Sequence, residues 1–301
     1  MTNLQLLTQH TPSPIQEVSL PALEGCDVRW LVKRDDLLAP PEAPDFCGNK
    51  WRKMKYNLLE AGQQGCTRLI TMGGAFSNHI AAVAAAGLLF GVDTVGYIRG
   101  EAAYPLNPTL QGAIDNGMKL RFVSREAYRQ LREKGLQPEY PGDYPIPEGG
   151  TNALAMPGCR ELGEELLHQL DDPGRTTVAV ACGTGGTLAG LIMGLQGVNC
   201  LGIPVLKGDF MTTTVQGYHD LFTGRQWPHW QTIDGFHFGG YAKITPVLLS
   251  FMSDFYTQTG IPLDKVYTGK LFYAIFELIQ SGFFSPGSTV VSIHSGGLQG
   301  N

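Results

Sequence analysis

Val178-Ala179-Val180-Ala181-Cys182-Gly183-Thr184-Gly185-Gly186-Thr187-Leu188-Ala189-Gly190 runs from unbroken apolar residues into a glycine turn and out into a second apolar segment. Thr176 to Cys182 has the small and β-branched residues of a strand buried on both faces. The glycines permit a tight turn, and the segment after them reads as a helix to about Leu195. The loop between strand and helix also has a chemical reading. Several backbone N–H groups converge at the positive end of a helix, which suits a phosphate, and Thr184 and Thr187 add hydroxyl donors. It is not a Walker loop, since no Lys-Ser/Thr pair follows. It is also a broken dinucleotide fingerprint, because Leu188 takes the third glycine position. The competing reading is a turn whose glycines serve packing alone.

Outward from this unit, strands and helices alternate. Val28 to Lys33, Arg68 to Met72, Thr94 to Arg99, Lys119 to Val123, Cys200 to Leu206 and Thr289 to Ile293 read as strands. Helices are expected from Lys50 to Ala61, Ser77 to Phe90, Pro108 to Asn116 and Glu126 to Lys134. Further helices are expected from Ala153 to Leu170, Pro246 to Thr259 and Lys270 to Ser281, the first of these weakened by Pro157 and Gly158. Residues 1–25, with Pro12, Pro14 and Pro21, read as extended, and the Pro-, Gly- and Tyr-rich 135–150 as a connection. The alternation predicts α/β architecture with parallel sheets.

Bulk properties exclude several classes. With 301 residues and 43% hydrophobic content the chain is long enough for a large core and two lobes. A net charge of −5 with no basic block argues against nucleic acid as a partner. An anionic cofactor then has to be held by backbone donors and a few placed side chains. The N-terminal residues lack a signal-peptide pattern, and the apolar run Ile80 to Phe90 is too short to span a bilayer. Six cysteines without a CxxC pair read as reduced thiols of a cytoplasmic protein. Scattered histidines give no metal-ligand spacing.

Residues at other turns carry the remaining chemistry. In Phe46-Cys47-Gly48-Asn49-Lys50, Asn49 is expected to cap a helix, which places Lys50 in the first turn. The helix dipole there disfavours a second positive charge, as a Schiff-base lysine requires. In Gly73-Gly74-Ala75-Phe76-Ser77-Asn78-His79 a strand ends in glycines and a polar triplet opens a helix. That pattern suits a carboxylate, with Ser77 as a plain N-cap the alternative. Three glycine-flanked clusters follow: Gly239-Gly240-Tyr241-Ala242-Lys243, Val266-Tyr267-Thr268-Gly269-Lys270 and Ile293-His294-Ser295-Gly296-Gly297. A nucleophilic lysine, a phosphate cradle and a carboxylate cradle together suggest pyridoxal phosphate (PLP) acting on an amino acid.

The blocks FCGNKWRK, GGAFSNH, CGTGGTLAG, VYTGK and HSGG, in this order from about Val32 to Gly297, resemble the D-cysteine desulfhydrase and 1-aminocyclopropane-1-carboxylate (ACC) deaminase family. That family is part of the tryptophan-synthase-β-like, fold type II PLP enzymes. The resemblance implies two open twisted parallel-sheet lobes with the PLP site between them. The lobes are expected as 52–148 and as 1–51 joined to 149–301. It implies PLP covalently bound to Lys50, with Gly183, Thr184, Gly185, Gly186 and Thr187 on the phosphate. Asn78 corresponds to the residue beside the cofactor ring, and Thr268 and Ser295 to positions near the pyridine nitrogen. Ser77, Asn78 and His79 correspond to the substrate-carboxylate site, and Tyr241 and Tyr267 to the active-site tyrosines. A homodimer and a small amino-acid substrate are also implied. Deaminases of the family carry a glutamate where this chain has Thr268, so the ring is expected to be the weaker electron sink of the desulfhydrase branch. Ser295 replaces a threonine or leucine, and the family's longer tail is missing after Gly297. The main expectation is α,β-elimination from D-cysteine, a lyase reaction giving 2-oxo acid, ammonia and hydrogen sulfide. The alternative is ACC ring opening, assisted by Ser77 or Tyr267 with Lys50 shuttling a proton. A nicotinamide-dependent oxidoreductase and a non-catalytic PLP or amino-acid binder are the rivals from other classes.

Overall fold

The structure is a computed structural model that describes residues 1–9 and 12–300. Its strands, in chain order, are β1 (Ile15–Val18), β2 (Val28–Lys33), β3 (Arg68–Gly73), β4 (Asp93–Arg99), β5 (Lys119–Val123), β6 (Asp143–Pro145), β7 (Thr176–Cys182), β8 (Asn199–Pro204), β9 (Trp230–Thr232) and β10 (Ser288–Ile293). Its helices are α1 (Gly48–Gln63), α2 (Asn78–Phe90), α3 (Pro108–Asp115), α4 (Arg125–Lys134), α5 (Ala155–Leu167), α6 (Gly186–Leu195), α7 (Met211–Thr223), α8 (Pro246–Thr259) and α9 (Thr268–Gln280). The chain is α/β, as its alternating pattern predicts. No helix among the described residues is long and apolar enough to cross a membrane.

The chain forms two compact units, one of residues 1–9, 38–158 and 300, the other of residues 12–37 and 159–299. The first holds a parallel sheet in the order β5-β4-β3-β6. On α1, Trp51, Met54, Leu58 and Ala61 recur at helical spacing and are buried with Phe46, Leu69 and Phe90. Helix α2 is buried nearly all round, from His79 to Gly87, and its alanines let neighbouring backbone approach closely. The expected lobe 52–148 lies inside this unit. Residues 1–9, 38–51, 149–158 and 300 were expected with the other lobe and cluster here instead. The reason is that α1 is one continuous helix whose apolar face belongs to this core.

The second unit holds a sheet in the order β1-β2-β10-β7-β8-β9. β1 is antiparallel to β2, and the other pairings are parallel. Trp30, Phe255 and Phe272 pack against one another at 5.2–5.8 Å between ring centroids. The indole N–H of Trp30 donates to Ser292 Oγ at 2.9 Å, which accounts for a serine inside β10. The strand β7, the glycine turn and the helix α6 form as read from the sequence.

Candidate active site

In the first unit, α1 starts two residues earlier than expected. Cys47, not Asn49, occupies the cap position, and its side chain forms no capping hydrogen bond. Gly48 makes the early start possible, because it opens the helix at φ 54°, a backbone state that a side chain disfavours. Lys50 remains in the first turn, half-buried, with its N–H donating to Cys47 O at 3.1 Å. One turn on, Lys53 is buried and donates from Nζ to Gly149 O at 2.9 Å and to Thr151 Oγ1 at 2.8 Å.

Ser77 caps α2, its Oγ accepting from Ile80 N at 3.4 Å. A Cβ on Gly73 would come within 2.8 Å of that oxygen, so glycine is what lets the strand end approach the cap. Asn78 opens the helix, half-buried, beside Ser77. His79 behaves differently from the expectation. Its ring is 1% exposed and turned into the core, where Nε2 donates to Thr71 Oγ1 at 2.8 Å and that hydroxyl donates on to Ile146 O at 2.8 Å. Burial and the nearby Lys50 and Lys53 charges hold its pKa well below the ordinary histidine value, so the ring is neutral. The imidazole is therefore not presented to a ligand. What His79 still offers at the helix start is its backbone N–H.

In the second unit, β7 delivers Gly183 and Thr184, and α6 starts at Gly186 without a side-chain cap. Gly185 lies at φ 80°, and a Cβ there would fall 3.0 Å from Met211 Sδ. No side-chain hydrogen bond from the cap position closes that helix start, and the first N–H groups of a helix are the donor set that a phosphate requires. Gly183 has a further reason to be glycine. A Cβ on it would sit 2.9 Å from Cε1 of Tyr267, so that ring lies against the turn. Tyr241 meets the Tyr267 ring edge-on at 6.4 Å between centroids. The structure thus brings the Gly183 turn and both tyrosines together within this unit.

Thr268 opens α9 and is fully buried. Its hydroxyl accepts from Asp264 N at 2.8 Å and donates to Asp264 Oδ2 at 2.8 Å. The same carboxylate accepts from Val266 N, Tyr267 N and Thr268 N at 2.7–2.9 Å. Asp264 thereby orders the whole turn that carries Tyr267. Sequence reasoning missed it, although an aspartate four residues ahead of a helix-opening threonine is a readable capping pattern. Ser295 lies half-buried just past the end of β10. Its neighbour His294 is pinned, with Nε2 donating to Pro262 O at 2.6 Å.

A family model described as Pyridoxal-phosphate dependent enzyme matches residues 6–296. Over 321 residues the chain is 30% identical to the bifunctional D-cysteine desulfhydrase/1-aminocyclopropane-1-carboxylate deaminase of Arabidopsis thaliana, covering 97% of this chain and 77% of the relative. It is 32% identical over 309 residues to a putative 1-aminocyclopropane-1-carboxylate deaminase of Pyrococcus abyssi, covering 96% and 90%. The crystal structure of an ACC deaminase homologue matches the fold with a TM-score of 0.78 at 28% identity, covering 100% of this chain and 96% of that one.

Proposed function

The chain belongs to the pyridoxal-phosphate dependent enzyme family, and from that premise we propose that it cleaves D-cysteine to pyruvate, ammonia and hydrogen sulfide. The glycine turn at 183–187 would hold the cofactor's phosphate, and the Lys50 amine would hold its carbonyl end. Bound PLP supplies an electron sink for the pair left at the substrate's α-carbon. Ser77, Asn78 and the backbone N–H of His79 hold the substrate carboxylate at the start of α2. The Lys50 amine removes the α-proton. Tyr241 or Tyr267 hands a proton to the departing thiolate, and water converts the released 2-aminoacrylate to pyruvate and ammonia. A homodimeric state belongs to the same reading, and sedimentation velocity tests it.

The observation that carries the desulfhydrase branch is the engagement of Thr268 with Asp264. This position offers no carboxylate to hold a proton on the cofactor's ring nitrogen, and Ser295 offers only a hydroxyl. The electron sink is then weaker, which disfavours opening a cyclopropane more than expelling a thiolate. ACC deamination is the second reading, supported by the relatives' names. The purified protein should show a visible imine band that is absent in Lys50→Ala. Among D-cysteine, L-cysteine, D-serine and ACC, D-cysteine should shift that band and release pyruvate with sulfide. Release of 2-oxobutanoate from ACC alone would transfer the assignment to the deaminase. A band that no amino acid perturbs would point to a non-catalytic binder, and turnover by Lys50→Ala would refute both branches.

A further inference from the structure

Lys270 stands on α9 one helical turn beyond Tyr267 and is 0% exposed. Its ammonium donates to His237 O at 2.9 Å and to Gly240 O at 2.8 Å. Burial pulls its pKa down to about 8, against an opposing pull from the Asp264 charge. Taking an ammonium out of water is unfavourable, and an apolar chain of similar length fills such a volume without that penalty. The ammonium is therefore kept for its donors. Neutral or charged, the amine has N–H groups for two acceptors, and both acceptors lie in one turn.

That turn is unusual backbone. Gly235, Phe238, Gly239, Gly240 and Ala242 all have positive φ, at 100°, 53°, 96°, 122° and 54°. Phe238 and Ala242 are not glycines, and such conformations persist only where surrounding contacts hold them. Inside the turn, Gly240 N donates to His237 O at 3.0 Å, and Gly239 N donates to His237 Nδ1 at 2.9 Å. These bonds close the turn on itself but tie it to nothing else. Lys270 hydrogen-bonds it to α9, and the Phe238 ring adds an apolar contact, edge-on to Tyr273 of α9 at 5.1 Å between centroids. The next residue, Tyr241, is the one whose ring meets Tyr267. Helix α9 thus bears on both rings, Tyr267 directly and Tyr241 through this turn, whose two carbonyls the lysine fixes.

We propose that Lys270 is a positioning residue: by fastening the His237 and Gly240 carbonyls to α9, it sets Tyr241 against Tyr267 for the substrate. The inference rests on the reading of Tyr241 as a substrate-site residue. It is tested with holoenzyme carrying Lys270→Met, Tyr241→Phe, or both, on D-cysteine or on whichever amino acid proves to be turned over. Lys270→Met should keep the visible band and the bound PLP. Its kcat/KM should fall about tenfold to a hundredfold, the loss typical of a slightly misplaced group. In the Tyr241→Phe background the same replacement should change kcat/KM by less than about twofold, while lowering the melting temperature equally in both backgrounds. Lys270→Gln, which keeps an N–H donor, should lose less activity, and it serves if Lys270→Met does not fold. Equal losses in both backgrounds, or loss of PLP, would overturn the role assigned to Lys270. A Tyr241→Phe enzyme as active as wild type would instead overturn the reading of Tyr241, and the proposal with it.

Discussion

The Thr268 hydroxyl is used twice by Asp264, as acceptor for its N–H and as donor to its Oδ2. Thr268→Val keeps the shape and deletes both bonds, leaving a buried carboxylate oxygen and a buried N–H short of a partner. Hydrogen bonds to charged groups contribute roughly 1.5–3 kcal/mol, so the unfolding free energy measured in urea should fall by that order. Thr268→Ser keeps the hydroxyl and loses one buried methyl, which should cost about 0.8 kcal/mol. If valine costs no more than serine, the hydroxyl adds no net stability. His79 makes a second prediction at this scale. In the folded protein its pKa lies well below the ordinary 6.5, because of burial first and the Lys50 and Lys53 charges next. In the unfolded chain it takes up a proton near that ordinary value. As pH falls below it, the unfolded state gains a proton that the folded state refuses, so stability drops on acidification. The slope is at most about 1.4 kcal/mol per pH unit for one histidine. His79→Gln keeps an N–H for Thr71 and does not titrate, so its unfolding free energy should vary less between about pH 7 and pH 5. An unchanged slope would place the proton uptake elsewhere, with His219 first, since burial lowers its pKa too.

Helices α5 and α6 cross at glycines. A Cβ on Gly163 would lie 2.7 Å from Leu191 O, and one on Gly194 would lie 2.1 Å from Arg160 O. Both obstacles are backbone, so a methyl at either place has to push the helices apart. Gly194→Ala should destabilise the protein by about 1–3 kcal/mol, as overpacking does. Because α6 opens with the turn assigned to the phosphate, the tilt should also weaken PLP binding, read as a higher PLP concentration at half the visible absorbance on reconstitution. A wild-type titration in Gly194→Ala would show that the helix start does not feel its far end. The strand, turn and start of α6 were legible in the sequence because three signals adjoin there: apolar run, glycines, apolar helix. The crossing glycines were not legible. A glycine inside a helix reads as a weak point, as Gly158 does, until its partner is known, and a Cβ on Gly158 would meet Arg52 O at 1.9 Å. β1, β6 and β9 were missed because three or four residues carry too little pattern to separate a strand from a connection. α7 was missed because a Thr-rich start and Gly217 hide its periodicity. The inward turn of the His79 ring was equally hidden, since it depends on how α2 packs on Thr71 of β3, whose hydroxyl is in turn held by Ile146, distant in the chain.

The whole chain carries a net charge of −5, and the cofactor its family binds carries an anionic phosphate. Long-range Coulomb forces therefore oppose binding, and residues 183–187 contain no lysine or arginine to reverse them locally. What favours the anion in the proposed site is short-ranged: N–H groups at the start of a helix that no side chain caps. Salt separates these contributions, because it screens exposed charges beyond a Debye length of about 10 Å at 0.1 M and acts far less on contacts inside a turn. Raising sodium chloride from about 0.02 M to about 0.3 M should leave PLP affinity unchanged or slightly higher. The measurement belongs on Lys50→Ala protein by equilibrium dialysis, where no imine masks the phosphate contribution. Loss of affinity by an order of magnitude would mean that exposed cationic side chains, and not the backbone of the 183–187 turn, hold the phosphate. The glycines there would then be explained by the close approach of Tyr267 and Met211 alone, which is the packing-only reading of the same stretch.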